Sequence, residues 1–69
     1  MKYCLVGVDG NAYALIGYTT KAMRREGFSS EEIQKMHKEA TASDYNNLVC
    51  VCDDYVQKCN ERAGDEDEE

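Results

Sequence analysis

The chain has 69 residues, with 14 acidic and 8 basic side chains, a formal charge of −6, four cysteines and no proline. That length makes one domain with little room for a deep active site, and stability at this size calls for very good packing, a crosslink, a metal or an oligomer. Five of the acids fall in residues 65–69, which leaves eight bases against nine acids in residues 1–64, so a globally acidic DNA mimic is excluded. The domain is expected over 1–64, followed by a self-repelling, disordered acidic tail over 65–69.

Tyr3, Leu5 and Gly7 alternate with Cys4, Val6 and Val8, which predicts a short strand with both faces largely apolar. Residues 5–8 are too short for the apolar region of a signal peptide and lack its basic start and small-residue cleavage site. No window reads as a transmembrane span, and the expected compartment is a cytoplasm, where thiols stay reduced.

At Asp9-Gly10-Asn11 the side-chain period changes from two to about 3.6, so the strand turns directly into a helix. This first helix is predicted over 12–26, with Ala12, Leu15, Ile16, Thr19 and Met23 at helical spacing, Asn11 or Asp9 as the cap and Gly27 as the left-handed stop. Gly7-Val8-Asp9-Gly10 faintly resembles a phosphate loop, but it lacks the GxGxxG pattern and the Walker lysine, and Asp9 would repel a phosphate.

Ser29-Ser30-Glu31-Glu32 is a capping box, with Ser29 at the N-cap, Glu32 three residues on, and Phe28 and Ile33 placed as a hydrophobic staple. The second helix then carries Ile33, Met36, His37 and Ala40 on one side. Ser43 or Asp44 caps a third helix with Tyr45, Leu48, Val49, Cys52 and Val56 as its apolar positions. Residues 55–59 read either as more helix or as a strand. Because the first strand needs a partner for its ladder, the favoured reading is α+β: an N-terminal strand paired antiparallel with a C-terminal strand at 55–59, and three helices on one face. If the third helix runs on to Arg62, the first strand must pair across a homodimer.

Asp9-Gly10-Asn11-Ala12-Tyr13-Ala14 with Gly17, Arg24-Arg25-Glu26-Gly27, Glu31-Glu32-Ile33, Glu39-Ala40 and Asp44-Tyr45 with Leu48 resembles a group of very small phage and prophage proteins with an Asp-Gly-Asn-Ala-aromatic-Ala opening. The group has no assigned activity. The resemblance implies a phage-type origin and a strand, three helices and a closing strand; the cysteines and the acidic tail lie outside its pattern. Small phage proteins without enzymatic motifs often inhibit host defences, and some anti-CRISPR proteins of this size bind a type II CRISPR effector nuclease and block its loading of DNA. The function this implies is a non-enzymatic inhibitor of a host nucleic-acid-handling protein, acting as a monomer or homodimer in the infected cell's cytoplasm, with no direct nucleic-acid or membrane contact.

The chemistry-bearing residues fall into three sets. Cys4, Cys50, Cys52 and Cys59 supply the thiolates of a structural zinc site, with His37 able to replace one of them; Cys4 would face Cys59 in the terminal hairpin, and Cys50 or Cys52 would join them. The alternative is that Cys52 fills the core and the others are free thiols. His37 and the Glu31-Glu32 pair form no catalytic constellation, since Glu32 is used by the capping box and Glu31 by the helix dipole, so no enzyme is expected. Lys21, Arg24 and Arg25, with Lys35 and Lys38, give the helical hairpin a basic side; with Tyr13 and Tyr18 as aromatic anchors, the first three form a candidate partner-binding surface. A second class of function is a small-ligand module that sequesters a nucleotide signal.

Overall fold

The structure is a computed structural model, and it describes residues 2–64. The expected acidic tail at 65–69 lies outside the described residues. Three helices follow one another in the chain: α1 (Ala12–Arg25), α2 (Ser30–Ala40) and α3 (Tyr45–Ala63). The longest, α3, packs against both of the others, while α1 and α2 touch each other least.

Each helix begins on a local chemical signal, and α1 and α3 end on a glycine. Asn11 accepts from the Ala14 N–H at 2.8 Å to start α1. Gly27 at φ 83° then closes it: Gly27 N–H donates to the Arg24 carbonyl and Phe28 N–H reaches back to that of Met23, the paired bonds of a Schellman stop. The capping box of α2 is complete, with Glu32 N–H donating to Ser29 Oγ at 3.1 Å and Ser29 N–H donating to Glu32 Oε1 at 3.0 Å. Asp44 caps α3 through the Asn47 N–H at 3.0 Å, and Gly64 at φ 68° ends it in the left-handed region.

The α+β expectation is overturned, because the described residues contain no strand. Residues 55–59 belong to α3. Leu48, Cys52, Tyr55, Val56 and Cys59 are all buried, and their spacings of three and four place them on one helical stripe; nothing interrupts the helix before Gly64. With that segment committed to helix, no strand remains among the described residues for the N-terminal segment to pair with. Nor do those residues stay extended: Val8 N–H donates to the Leu5 carbonyl at 3.0 Å, closing a turn with Gly7 at φ 91° in its third position, where a positive φ needs glycine. Val6 is thereby turned out to solvent.

The backbone ahead of the turn finds its hydrogen bonds in side chains. Tyr3 N–H donates to Asn60 Oδ1 at 2.7 Å and the Tyr3 carbonyl accepts from Asn60 Nδ2 at 2.9 Å. One primary amide on α3 thus makes both bonds that an adjacent strand would have made, within this chain and without a second copy. Cys4 N–H donates to the Tyr18 hydroxyl at 2.9 Å. So anchored, Tyr3 inserts its ring into the core, which is centred on Met23, Met36, Val56, Cys52 and Cys59. Thr19, fully buried among them, donates its hydroxyl to the Leu15 carbonyl at 2.8 Å and so is not left unsatisfied.

Asn60→Ala leaves two buried backbone groups of Tyr3 without partners, so it is expected to cost about 2–3 kcal/mol. For a domain of this size that is a fall in Tm of roughly 10–20 °C, measured by thermal circular dichroism. A fall of only a few degrees would show that the amide is not what holds the N-terminal segment.

Candidate functional site

The first strap of chain, residues 2–4, runs beside the second half of α1, and a cleft of about 460 Å³ opens between them. Residues 18, 21, 22 and 25 follow the helical spacings of three and four, so they share the face of α1 that borders it, with Arg24 beside them. The cleft is lined by Tyr3, Tyr18, Lys21, Ala22, Arg24 and Arg25. Four of the five residues singled out as partner-binding from sequence therefore come together. The fifth, Tyr13, is almost fully exposed in the first turn of α1 and does not line the cleft.

The two phenols of the cleft are engaged inside the protein. Tyr18, half-buried, accepts from Cys4 N–H, and Tyr3, buried, donates to Glu26 Oε2 at 2.5 Å, so the ring exposed in the cleft is mainly that of Tyr18. Burial pushes the Tyr3 phenol up to about 12, and the neighbouring Glu26 carboxylate, which accepts its proton in the hydrogen bond, pushes the same way. Glu26 is held below its ordinary value, first by that hydrogen bond and then by Lys2, whose ammonium lies 3.4 Å away. Lys21, Arg24 and Arg25 are exposed, and among the described residues none of them is drawn into an ion pair. The arrangement is a floor of two aromatic rings and a methyl group with three cations at its rim.

Lys35 and Lys38 lie elsewhere, on exposed positions of α2, beside a separate, more open groove that also involves Glu31 and Gln34. His37 is exposed, and its Nε2 lies 2.8 Å from Thr20 Oγ1 across the α1–α2 contact. That pair ties the two helices.

The cysteines are dispersed. Cys52 and Cys59 are fully buried on the inner stripe of α3, Cys4 is half-buried, and Cys50 is exposed. Since α3 is continuous, Cys50 and Cys52 point to opposite sides of one helix. Among the described residues no three His, Cys, Asp or Glu side chains gather into a group that could hold a metal ion. Burial raises the Cys59 thiol to about 11 and also raises that of Cys52, which faces the Thr19 hydroxyl.

Sequence reasoning missed Asn60 and Glu26, the two residues that position the strap forming one wall of the cleft. Asn60 had a signal: it lies four residues after Val56, where the apolar stripe would continue, and a polar amide there marks a buried hydrogen-bonding task.

No protein family matches this chain, and comparison with curated proteins and with solved structures gives no match. No helix among the described residues is long and apolar enough to cross a membrane.

Two outcomes follow from the titration and burial of these groups. Unfolded, the Tyr3 phenol ionises near 10.0 and folded near 12, so the folded state keeps a proton that the unfolded state releases. Its stabilising contribution is whole below pH 10.0 and is lost as pH rises through about 12; Cys59 adds a like loss between 9.0 and about 11. In an ultraviolet titration at alkaline pH, Tyr3→Phe is expected to remove a phenol transition near 12 and to flatten the decline of Tm above pH 10.0. For the thiols, a disulfide reagent at mild pH should label Cys50 first, and Cys52 and Cys59 only as the chain unfolds. One zinc per chain by elemental analysis, with all four thiols protected, would contradict that order.

Proposed function

We propose that this protein is a non-enzymatic, phage-encoded inhibitor that acts in the cytoplasm of the infected host cell by binding a nucleic-acid-handling defence protein. The specific target in this reading is a type II CRISPR effector nuclease, whose loading of DNA the bound inhibitor blocks. The observation that carries it is the gathering of Tyr18, Lys21, Arg24 and Arg25 around one cleft. Aromatic anchors with arginine beside them are the side chains that most often dominate binding energy at protein interfaces. The cleft suits holding a partner better than moving protons: its charged side chains are cations, and the Tyr3 phenol is committed to Glu26. The resemblance to small phage proteins supplies the biological setting.

The size of the cleft favours a second reading, a small-ligand module. A volume of about 460 Å³ falls in the range of small-molecule sites, and three cations beside two rings are compatible with a nucleotide. A ligand that binds the folded state raises Tm by linkage, so nucleotides should shift the melting curve under the second reading and leave it in place under the first.

The direct test combines purified protein, a type II effector nuclease with its guide and a DNA substrate. Cleavage is expected to fall with inhibitor concentration when the protein is added before DNA and to be restored by the combined change of Lys21, Arg24 and Arg25 to Ala. No inhibition in this assay, together with unchanged immunity of host cells expressing the protein, would remove the proposal.

A further inference from the structure

We propose that the α1 cleft takes an acidic peptide segment of a partner protein, one apolar side chain of which enters the cleft while flanking carboxylates meet Lys21, Arg24 and Arg25. This deepens the reading of the protein as an inhibitor that binds through that cleft, and rests on it.

The floor and the rim ask for different things. Tyr3 uses its O–H on Glu26 and is buried with Ala22, while Tyr18 accepts from Cys4 N–H and keeps one O–H donor, so the floor offers a polar head a single hydrogen bond beside the partly exposed Tyr18 ring. An apolar side chain there removes from water the part of the Tyr18 ring that is exposed. A nucleobase would leave its donors and acceptors poorly matched on the same surface.

The rim selects carboxylates spread along a chain over a compact phosphate. Its three cations occupy positions 21, 24 and 25, more than one helical turn of α1. The last turn of α1 also brings its carbonyl ends and the Glu26 carboxylate, paired with Lys2, next to Arg25. A multiply charged phosphate held at one point would meet that negative end of the helix dipole, whereas single carboxylates spaced along a peptide can address Lys21, Arg24 and Arg25 separately. The formal charge of the whole chain is −6, so general attraction of an acidic peptide is absent and the local cations must supply it.

The experiment uses the full chain and two labelled, end-blocked probe peptides, Glu-Glu-Phe-Glu-Glu and Glu-Glu-Gly-Glu-Glu, followed by fluorescence anisotropy at low salt, with ADP as a third probe. The Phe peptide is expected to bind saturably and the Gly peptide at least about fivefold more weakly, because a phenyl ring enters the cleft in one and not in the other. Joint Lys21→Ala, Arg24→Ala and Arg25→Ala is expected to weaken the Phe peptide by about tenfold or more while the circular dichroism melt is retained, since alanine is a good helix former. Lys35→Ala with Lys38→Ala, which removes the same kind of charge from α2, should leave affinity unchanged. Equal binding of the two peptides, tighter binding of ADP than of the Phe peptide, or an equal loss in the α2 variant each overturns the proposal. The two readings fail separately. Peptide binding that follows this pattern without nuclease inhibition removes only the defence target, and inhibition that survives loss of the three cations removes only the cleft's role.

Discussion

A stretch of backbone entering a helical protein must have its polar groups met, and here one side chain does most of that. Asn60 stands at the inner edge of α3 and exchanges two hydrogen bonds with the peptide groups of Tyr3, as a neighbouring strand would. An amide side chain has the same donor and acceptor pair as a peptide group, so the substitution is chemically exact in kind while requiring only one residue. Everything at that end of the molecule depends on it: the Tyr3 ring enters the core, its hydroxyl reaches Glu26 at the end of α1, and Cys4 N–H comes to Tyr18. The same anchoring places the strap beside α1 and thereby makes a cleft out of what would otherwise be an open helix face.

The electrostatics of the cleft are set by this packing. Glu26, next to Arg25 in the chain, is taken up by the Tyr3 hydroxyl and the Lys2 ammonium. Lys21, Arg24 and Arg25 stay exposed at the surface, and within a Debye length of about 8–10 Å a partner feels those three charges more than the acids on distant faces. A chain that is acidic as a whole thus carries a local cationic site, and the rings beneath it add an apolar component.

A domain this small leans on local devices. The Schellman stop at Gly27, the Ser29–Glu32 capping box and the Asp44 cap satisfy helix-end groups that a larger protein could bury under neighbouring elements. Contacts between distant parts of the chain then add to these caps. Tyr45 donates to the Gly10 carbonyl, tying the start of α3 to the corner before α1, and Asn47 donates to the Glu39 carbonyl at the end of α2. Arg62 stacks 4.1 Å over the Phe28 ring and covers the turn between α1 and α2. Two thiols, Cys52 and Cys59, fill the core as small apolar groups while these contacts close its edges.

The helices were legible in the sequence because their determinants are local. Asn11, Gly27, Ser29 with Glu32, and Asp44 act on groups within a few residues of themselves, and the spacing of Leu15, Thr19 and Met23 or of Ile33, Met36 and Ala40 reports one buried face. The clustering of Tyr18, Lys21, Arg24 and Arg25 was legible for the same reason, since positions three and four apart share a helix face. What became of residues 3–8 and 55–59 was not, because segments of five or six residues are too short for their apolar positions to distinguish a period of two from one of 3.6, and only their neighbours choose. Tertiary structure chose helix for 55–59, where Tyr55, Val56 and Cys59 continue the stripe begun by Leu48 and Cys52. It then gave Tyr3 the Asn60 amide in place of a strand. That contact joins residues 57 positions apart, and no local pattern encodes it.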